Sequence, residues 1–157
     1  MNSDPLWQSI RAEAERDAAE EPAIASFLYT SVLCHPTLAA ALAHVIATKL
    51  GCATVSDLTL RDLIEDAMRD DPWIEEAVRA DLEAVVTRDP ASRGYSAPLL
   101  RFKGFHALQA YRIAHHYWNA GRSALALYLQ SRISEVFAVD IHPGARIGKG
   151  IMFDHAT

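Results

Sequence analysis

Residues 140–157 read DIHPGARIGKGIMFDHAT, and this stretch decides how the chain is organised. Three of the seven glycines of the chain lie in it, which strongly disfavours a helix. Large apolar residues recur every six positions, at Ile141, Ile147 and Phe153, with small residues between them. A hexapeptide period is typical of a β-helix, whose tight corners need small side chains. The stretch therefore predicts the first coil of a β-helix.

A single coil is too little for a stable solenoid. About three repeats are needed before stacked coils bury a continuous apolar core. We therefore expect the chain to be a truncated part of a longer protein, cut inside its second domain.

The residues before this stretch carry the spacing of amphipathic helices. Asp4-Pro5 and Asp71-Pro72 each place an N-cap aspartate before a proline in the first helical turn. Seven helices are predicted in this region: from Pro5, over 23–33, from 36 to near 51, after 59, from 72 to 86, over 104–119 and over 122–138.

Residues 88–98 interrupt the helical pattern. They contain two prolines, one glycine and two serines, which is the composition of a loop. A polar loop of this length inside a compact domain is more often functional than idle, so we expect a functional role for it.

Composition excludes several classes of protein. The chain has 157 residues, 50% of them hydrophobic, a formal net charge of −5 and a pI near 5.8. An acidic surface argues against nucleic-acid binding. Two cysteines are too few for a disulfide scaffold, and their spacing fits no zinc motif. No signal peptide or membrane span is evident, so we expect a cytoplasmic protein with no membrane partner.

Four stretches together resemble the N-terminal part of bacterial serine O-acetyltransferases. They are TRDP at 87–90, PLLxxKGFHALQAYR at 98–112, VDIHP at 139–143 and IGxGIMFDHAT at 147–157. The resemblance implies a mainly α fold, with a multi-helix N-terminal assembly domain over residues 1–139. The first coil of a left-handed parallel β-helix, the start of the hexapeptide-repeat acyltransferase domain, would follow over residues 140–157.

The resemblance also implies an activity and its partners. The reaction is acetyl transfer from acetyl-CoA, a co-substrate, to the hydroxyl of L-serine, giving O-acetylserine in cysteine biosynthesis. L-cysteine is the implied feedback inhibitor, and no permanently bound cofactor is expected. The implied assembly is a hexamer built as a dimer of trimers, with a C-terminal tail that docks into O-acetylserine sulfhydrylase. We expect that docking tail and the residues that bind CoA to lie beyond Thr157.

Four residues are candidates for the site. Attack by a hydroxyl needs a base near neutral pKa, and a carboxylate on the other ring nitrogen fixes the tautomer of a histidine base. By resemblance, His155 is the base and Asp140 orients it; their fifteen-residue spacing is close to one β-helix coil. By resemblance, Asp89 and Asp154 hold the ammonium group of serine. Asp89 alternatively, or in addition, caps the turn before Pro90.

The remaining polar residues carry weaker signals. We assign His106 and His142 structural roles and predict no metal site, because the histidine spacing does not suit one. Basic side chains at residues 101–122 are interpreted as a solvated helix surface: Arg101, Lys103, Arg112 and Arg122.

Two alternative functions remain open. The chain could be a non-catalytic helical module for oligomerisation or regulation, which the abundance of amphipathic helix favours. It could also belong to another hexapeptide-repeat acyltransferase, acting on a sugar or on homoserine. We expect the 157 residues by themselves to be inactive, or nearly so, and to form dimers through the helical face.

Overall fold

The computed structural model describes residues 4–156, and its helices lie between residues 5 and 137. Within these residues there are eight α-helices and no strand. The helices are α1 (Pro5–Glu20), α2 (Ala25–Leu28), α3 (Leu38–Leu50), α4 (Asp57–Asp70), α5 (Pro72–Arg88), α6 (Ser96–Arg101), α7 (Lys103–Asn119) and α8 (Ser123–Phe137). We call residues 4–137 the helical body and residues 140–156 the tail. The predicted mainly α fold is confirmed.

Side chains cap several helices where the sequence predicts it. The Asp4 carboxylate accepts a hydrogen bond from the backbone N–H of Trp7 at 3.3 Å, and Asp71 accepts from Trp73 at 3.1 Å. Each bond satisfies a backbone donor that the first helical turn leaves without a partner. The two Asp-Pro signals therefore mark the starts of α1 and α5 correctly.

The predicted helix over 23–33 is irregular. A 3₁₀ turn at Pro22–Ile24 precedes α2, and a π-helical turn at Tyr29–Leu33 follows it. The Thr30 hydroxyl donates to the carbonyl of Ser26 at 2.7 Å. Such back-bonding competes with the regular helical hydrogen bonds, and it lies where the α-helix gives way to the π-helical turn.

The predicted loop over 88–98 is shorter than expected, because α6 begins inside it. Pro98 is tolerated there since its position in the first turn needs no N–H donor. The Glu13 carboxylate of α1 accepts hydrogen bonds from the backbone N–H of Tyr95 at 3.3 Å and of Ser96 at 3.1 Å. This cap comes from more than 80 residues away, so local sequence could not reveal it.

The centre of the helical body is α7, of whose 17 residues twelve are buried. It packs against α4, α5, α6 and α8. His106 is among the buried residues, and its Nε2 lies 2.6 Å from the carbonyl oxygen of Leu99. Burial lowers the pKa of His106 to about 4, so the ring is neutral at physiological pH.

The tail has neither helix nor strand in residues 140–156. Strands of a β-helix receive their hydrogen bonds from coils stacked on either side, and residues 140–156 contain no second coil that could supply them. The predicted boundary between residues 139 and 140 stays a prediction, although α8 ends close to it at Phe137. None of the helices within residues 4–156 is long and apolar enough to cross a membrane.

Candidate active site

A cleft of about 560 Å³ opens where the loop after α5, the start of α7 and the tail meet. Asp89, Asp154 and His155 all line it, although Asp89 precedes Asp154 by 65 residues. Three of the four candidate residues are therefore brought to one place by the fold.

Asp89 is the C-cap residue of α5 and directly follows Arg88, the last residue of the helix. Its Oδ1 accepts a hydrogen bond from the backbone N–H of Ala91 at 2.9 Å, and its carbonyl accepts from Ser92 at 3.1 Å. The side chain thus caps the turn at Pro90 and lines the cleft at the same time. The structural role expected from the Asp-Pro pair and a role in binding are compatible.

Asp154 and His155 lie in the exposed part of the tail. The Nε2 atom of His155 is 3.4 Å from Oδ1 of Asp154, and the two side chains are 88% and 68% exposed respectively. His155 and Ala156 adopt φ angles of 58° and 65°, a left-handed conformation that is uncommon for residues with a Cβ. The imidazole is therefore open to a substrate in the cleft.

Asp140 lies elsewhere. It borders a shallow depression along α8, where its Oδ1 accepts a hydrogen bond from the side chain of Gln130 at 2.9 Å. Within one chain, His155 has Asp154 as its carboxylate neighbour instead. The expected proximity of Asp140 to His155 is not formed inside a single copy.

Cationic groups line the same cleft as the carboxylates. Arg101 and Lys103 border it next to the N-terminal turn of α7, whose backbone dipole is positive at that end. A small molecule that carries both an ammonium and a carboxylate would find opposite charges within this space. Within residues 4–156 no three His, Cys, Asp or Glu side chains converge as a metal site.

A buried network between α5, α7 and the tail was not anticipated from the sequence. The interpretation of Arg112 as part of a solvated surface is wrong, since it is 2% exposed and pairs with Asp81, which is fully buried. Its Nη2 lies 2.7 Å from Oδ2 of Asp81. One signal was available: Asp81 falls on the apolar face of α5, between Val78 and Val85.

Comparison with known proteins decides the family. The model of the family described as "Serine acetyltransferase, N-terminal" matches residues 6–110, about two thirds of the chain. The chain belongs to the serine acetyltransferase family. This confirms the resemblance that the motifs indicated.

Relatives within the serine acetyltransferase family are found in plants and bacteria. The chain is 52% identical to serine acetyltransferase 2 of Arabidopsis thaliana over 155 residues, covering 99% of this chain and 48% of that protein. It is 50% identical to the serine acetyltransferase of Haemophilus influenzae, covering 97% of this chain and 57% of the relative. The chain thus spans about half the length of the curated relatives it matches.

Solved serine acetyltransferase structures share the fold. One in complex with CoA superposes with a TM-score of 0.95 at 50% identity, over 97% of this chain and 64% of that one. The Neisseria gonorrhoeae enzyme in complex with serine gives 0.96 at 49% identity, over 99% and 65% of the two chains. A complex with cysteine gives 0.94 at 50% identity, over 97% and 59%. The arrangement of helices described above is therefore that of the family.

Proposed function

We propose that this chain supplies the helical domain and the first active-site residues of a serine O-acetyltransferase. The reaction transfers the acetyl group of acetyl-CoA to L-serine and yields O-acetylserine for cysteine biosynthesis. The observation that carries the proposal is the meeting of Asp89, Asp154 and His155 in one cleft that also contains cationic groups.

His155 is the proposed general base. It takes the proton of the serine hydroxyl as the oxygen attacks the carbonyl carbon of the thioester. A carbon–oxygen bond forms, the carbon–sulfur bond breaks, and the proton passes on to the departing thiolate to give CoA. The high exposure of the imidazole towards the cleft leaves room for both substrates.

Asp89 and Asp154 are proposed to hold the ammonium group of serine. Asp140, which accepts a hydrogen bond from Gln130 in this chain, is proposed to orient His155 at a site formed with a second copy of the protein. A site shared between adjacent copies agrees with the implied trimer. L-cysteine would bind in the same place, since it presents the same ammonium and carboxylate, and a relative has been solved with cysteine.

Acetyl-CoA is proposed as a co-substrate, with its binding residues outside this chain and with no permanently bound cofactor. A related structure holds CoA, which supports this class of ligand. The proposed setting is the cytoplasm. We keep residues 1–139 as the proposed assembly domain and residues 140–157 as the proposed start of the β-helix.

The proposed assembly is the hexamer, a dimer of trimers. A set of exposed apolar side chains around α2 suits a contact between helical domains: Ile24, Phe27 and Tyr29, which are 45%, 47% and 59% exposed. The same strip favours the alternative of a non-catalytic oligomerisation module. Docking of O-acetylserine sulfhydrylase is proposed to involve residues outside this chain.

Activity of a chimaera tests the proposal. Residues 1–157 would replace the matching part of the Haemophilus influenzae relative, and serine-dependent release of CoA thiol would be measured. We expect turnover by the chimaera and little or none by the 157-residue chain alone. His155→Ala should lower kcat by about 10²–10⁴-fold, and Asp89→Asn should raise the KM for serine.

The matched control is Asp70→Asn, at an exposed aspartate at the end of α4 that does not line the cleft. This variant should retain normal turnover. Retention of full activity by the His155→Ala chimaera would contradict the assignment of the base. Preference of the unsubstituted chimaera for homoserine or a sugar over serine would favour another hexapeptide-repeat acyltransferase.

A further inference from the structure

The tail is held to the helical body by side chains rather than by backbone pairing. The backbone N–H groups of Gly150 and Ile151 both donate to Oδ1 of Asp81, each at 2.9 Å. Gly150 adopts a φ of 78°, a left-handed conformation that glycine tolerates and that helps consecutive N–H groups point at one anionic oxygen. One buried carboxylate therefore fixes the direction of the tail just before Asp154.

Arg112 holds the tail from the other side of the same ion pair. Its Nη2 donates to the carbonyl of Gly148 at 2.9 Å, and its Nη1 lies 3.4 Å from the carbonyl of Ile147. The guanidinium reaches Oδ2 of Asp81 through both Nε and Nη2, at 3.2 and 2.7 Å. Gln109 donates to the same oxygen at 2.8 Å. The pair thus joins α5, α7 and residues 147–151 at one point.

The energetics of buried ion pairs indicate that this pair contributes more to the position of the tail than to overall stability. Removing two charges from water costs about as much as their mutual attraction returns, and apolar side chains of similar size often stabilise a core equally well. Apolar side chains could not, however, accept two backbone N–H groups or donate to two carbonyls. What Asp81 and Arg112 provide, and apolar side chains could not, is therefore a fixed position for the tail.

The geometry connects this position to the cleft. Asp81 lies on α5, eight residues before Asp89, which caps the C-terminal end of that helix. Ile151 lies three residues before Asp154. Arg88, next to Asp89, also donates to the carbonyl of Gly150 at 2.8 Å. The end of α5 therefore places Asp89 at the cleft, and side chains of the same helix bind the tail segment that leads to Asp154.

We infer that Asp81 and Arg112 are positioning residues, which set the separation between Asp89 on the helical body and Asp154 and His155 on the tail. They do not touch the substrate. This inference rests on the proposed function for its catalytic consequence, but the grip on the tail is a property of the chain alone. Loss of the pair should leave the helices in place and let the tail move.

The central test is the double variant Asp81→Leu with Arg112→Met, which replaces both charges with apolar side chains. In the 157-residue chain, the helical circular dichroism and Tm should change little, while amide exchange at residues 147–151 should become at least tenfold faster. In the chimaera, the KM for serine should rise at least tenfold, because two carboxylates no longer meet one ammonium, and kcat should fall.

Two further variants keep the test decisive. Arg61→Met with Glu65→Leu makes the equivalent charge-to-apolar substitutions at an ion pair within α4, and should alter neither exchange at residues 147–151 nor the KM for serine. Arg112→Lys keeps the charge but lacks the planar fork, and should give an intermediate acceleration of exchange. If the double variant does not fold, amide exchange at residues 147–151 of the Arg112→Lys chain becomes the deciding measurement.

The outcomes separate the two proposals. Unchanged exchange at residues 147–151 in the folded variants would overturn the inference, as would an unchanged KM and kcat in an active chimaera. An inactive unsubstituted chimaera would count against the proposed function, whereas exchange in the 157-residue chain would still decide whether the pair holds the tail.

Discussion

The helical body and the tail are ordered by different means. In the helical body, backbone groups bond within each helix, and apolar faces pack against one another around α7. In the tail, the backbone of residues 143–151 is bonded by side chains of α5 and α7, including His115 to the carbonyl of Pro143 at 2.7 Å. Tyr111 similarly donates to the carbonyl of Ala145. The difference teaches that the tail has a defined position only because the helical body supplies its partners.

The largest effect should come from breaking the buried Asp81–Arg112 ion pair, which bonds to both the helical body and the tail. Asp81→Leu alone leaves the guanidinium of Arg112 buried without its counter-ion, at a cost of about 3–5 kcal/mol in the free energy of unfolding. Urea denaturation of the single and double variants would measure it. We expect Arg112→Met to restore most of the loss; equal stability of the single and double variants would contradict a charge-pair effect.

Acid should act on the helical body next. The folded pKa of His106, about 4, lies below its ordinary value of 6.5, so the unfolded chain binds more protons between these pH values. The stability that neutral His106 contributes is fully present above pH 6.5 and is lost as the pH falls towards 4. This changes the free energy of unfolding by about 3 kcal/mol. Burial also lowers the pKa values of His35 and His44, which adds to the same slope.

The measurement is the free energy of unfolding at several pH values from 7 to 4. His106→Gln should flatten the dependence without abolishing it, because the other two histidines remain. A variant with the same slope as the parent chain would mean that His106 does not carry the acid response.

A substitution at Gly104 should have a smaller effect, and it should disturb the tail without disturbing the helical body. At Gly104, in the first turn of α7, an added Cβ would lie 2.7 Å from the carbonyl oxygen of Phe153. Gly104→Ala should therefore displace the tail, while helix propensity changes the stability of the helical body by at most about 1 kcal/mol. Gly148→Ala is the control, since an added Cβ there meets nothing within 4 Å.

Exchange at residues 151–156, together with Tm, would report the outcome. We expect faster exchange and a nearly constant Tm for Gly104→Ala, and no change in that segment for Gly148→Ala. A Gly104→Ala chain with unaltered exchange would show that the close approach of Phe153 to α7 is not needed to hold the tail.

The smallest effect should come from the exposed contact between the two regions. Lys149 of the tail pairs with Glu76 of α5, with side chains 46% and 58% exposed. Water and salt screen such a pair, so Lys149→Gln should change the free energy of unfolding by no more than about 0.5 kcal/mol. A double-mutant cycle with Glu76→Gln at low and high salt would measure the coupling energy of the pair. A coupling energy as large as that of Asp81 and Arg112 would contradict the expectation that the exposed pair stabilises the chain less than the buried pair.

Local signals predicted most of the helical body. Asp-Pro at residues 4–5 and 71–72 marked two helix starts, because a cap depends only on neighbouring residues. The same logic failed for α6, whose cap comes from Glu13 on another helix. It also failed for Arg112, because helical spacing shows which face a residue occupies but not which distant carboxylate neutralises it.

The candidate site divides in the same way. Motifs nominated Asp89, Asp140, Asp154 and His155, and the fold places three of them in one cleft while Asp140 lies against Gln130. No spacing rule could bring Asp89 to Asp154, since they are 65 residues apart and one of them lies in a segment without secondary structure.

By itself, the sequence determined most of the helices, several of their ends and the change of character after Val139, because these depend on interactions within a few residues. Only the tertiary structure decided where the tail lies and what faces the cleft. The physical reason is that the tail satisfies its backbone through side chains far away in the chain, and such partners are chosen by packing rather than by local propensity.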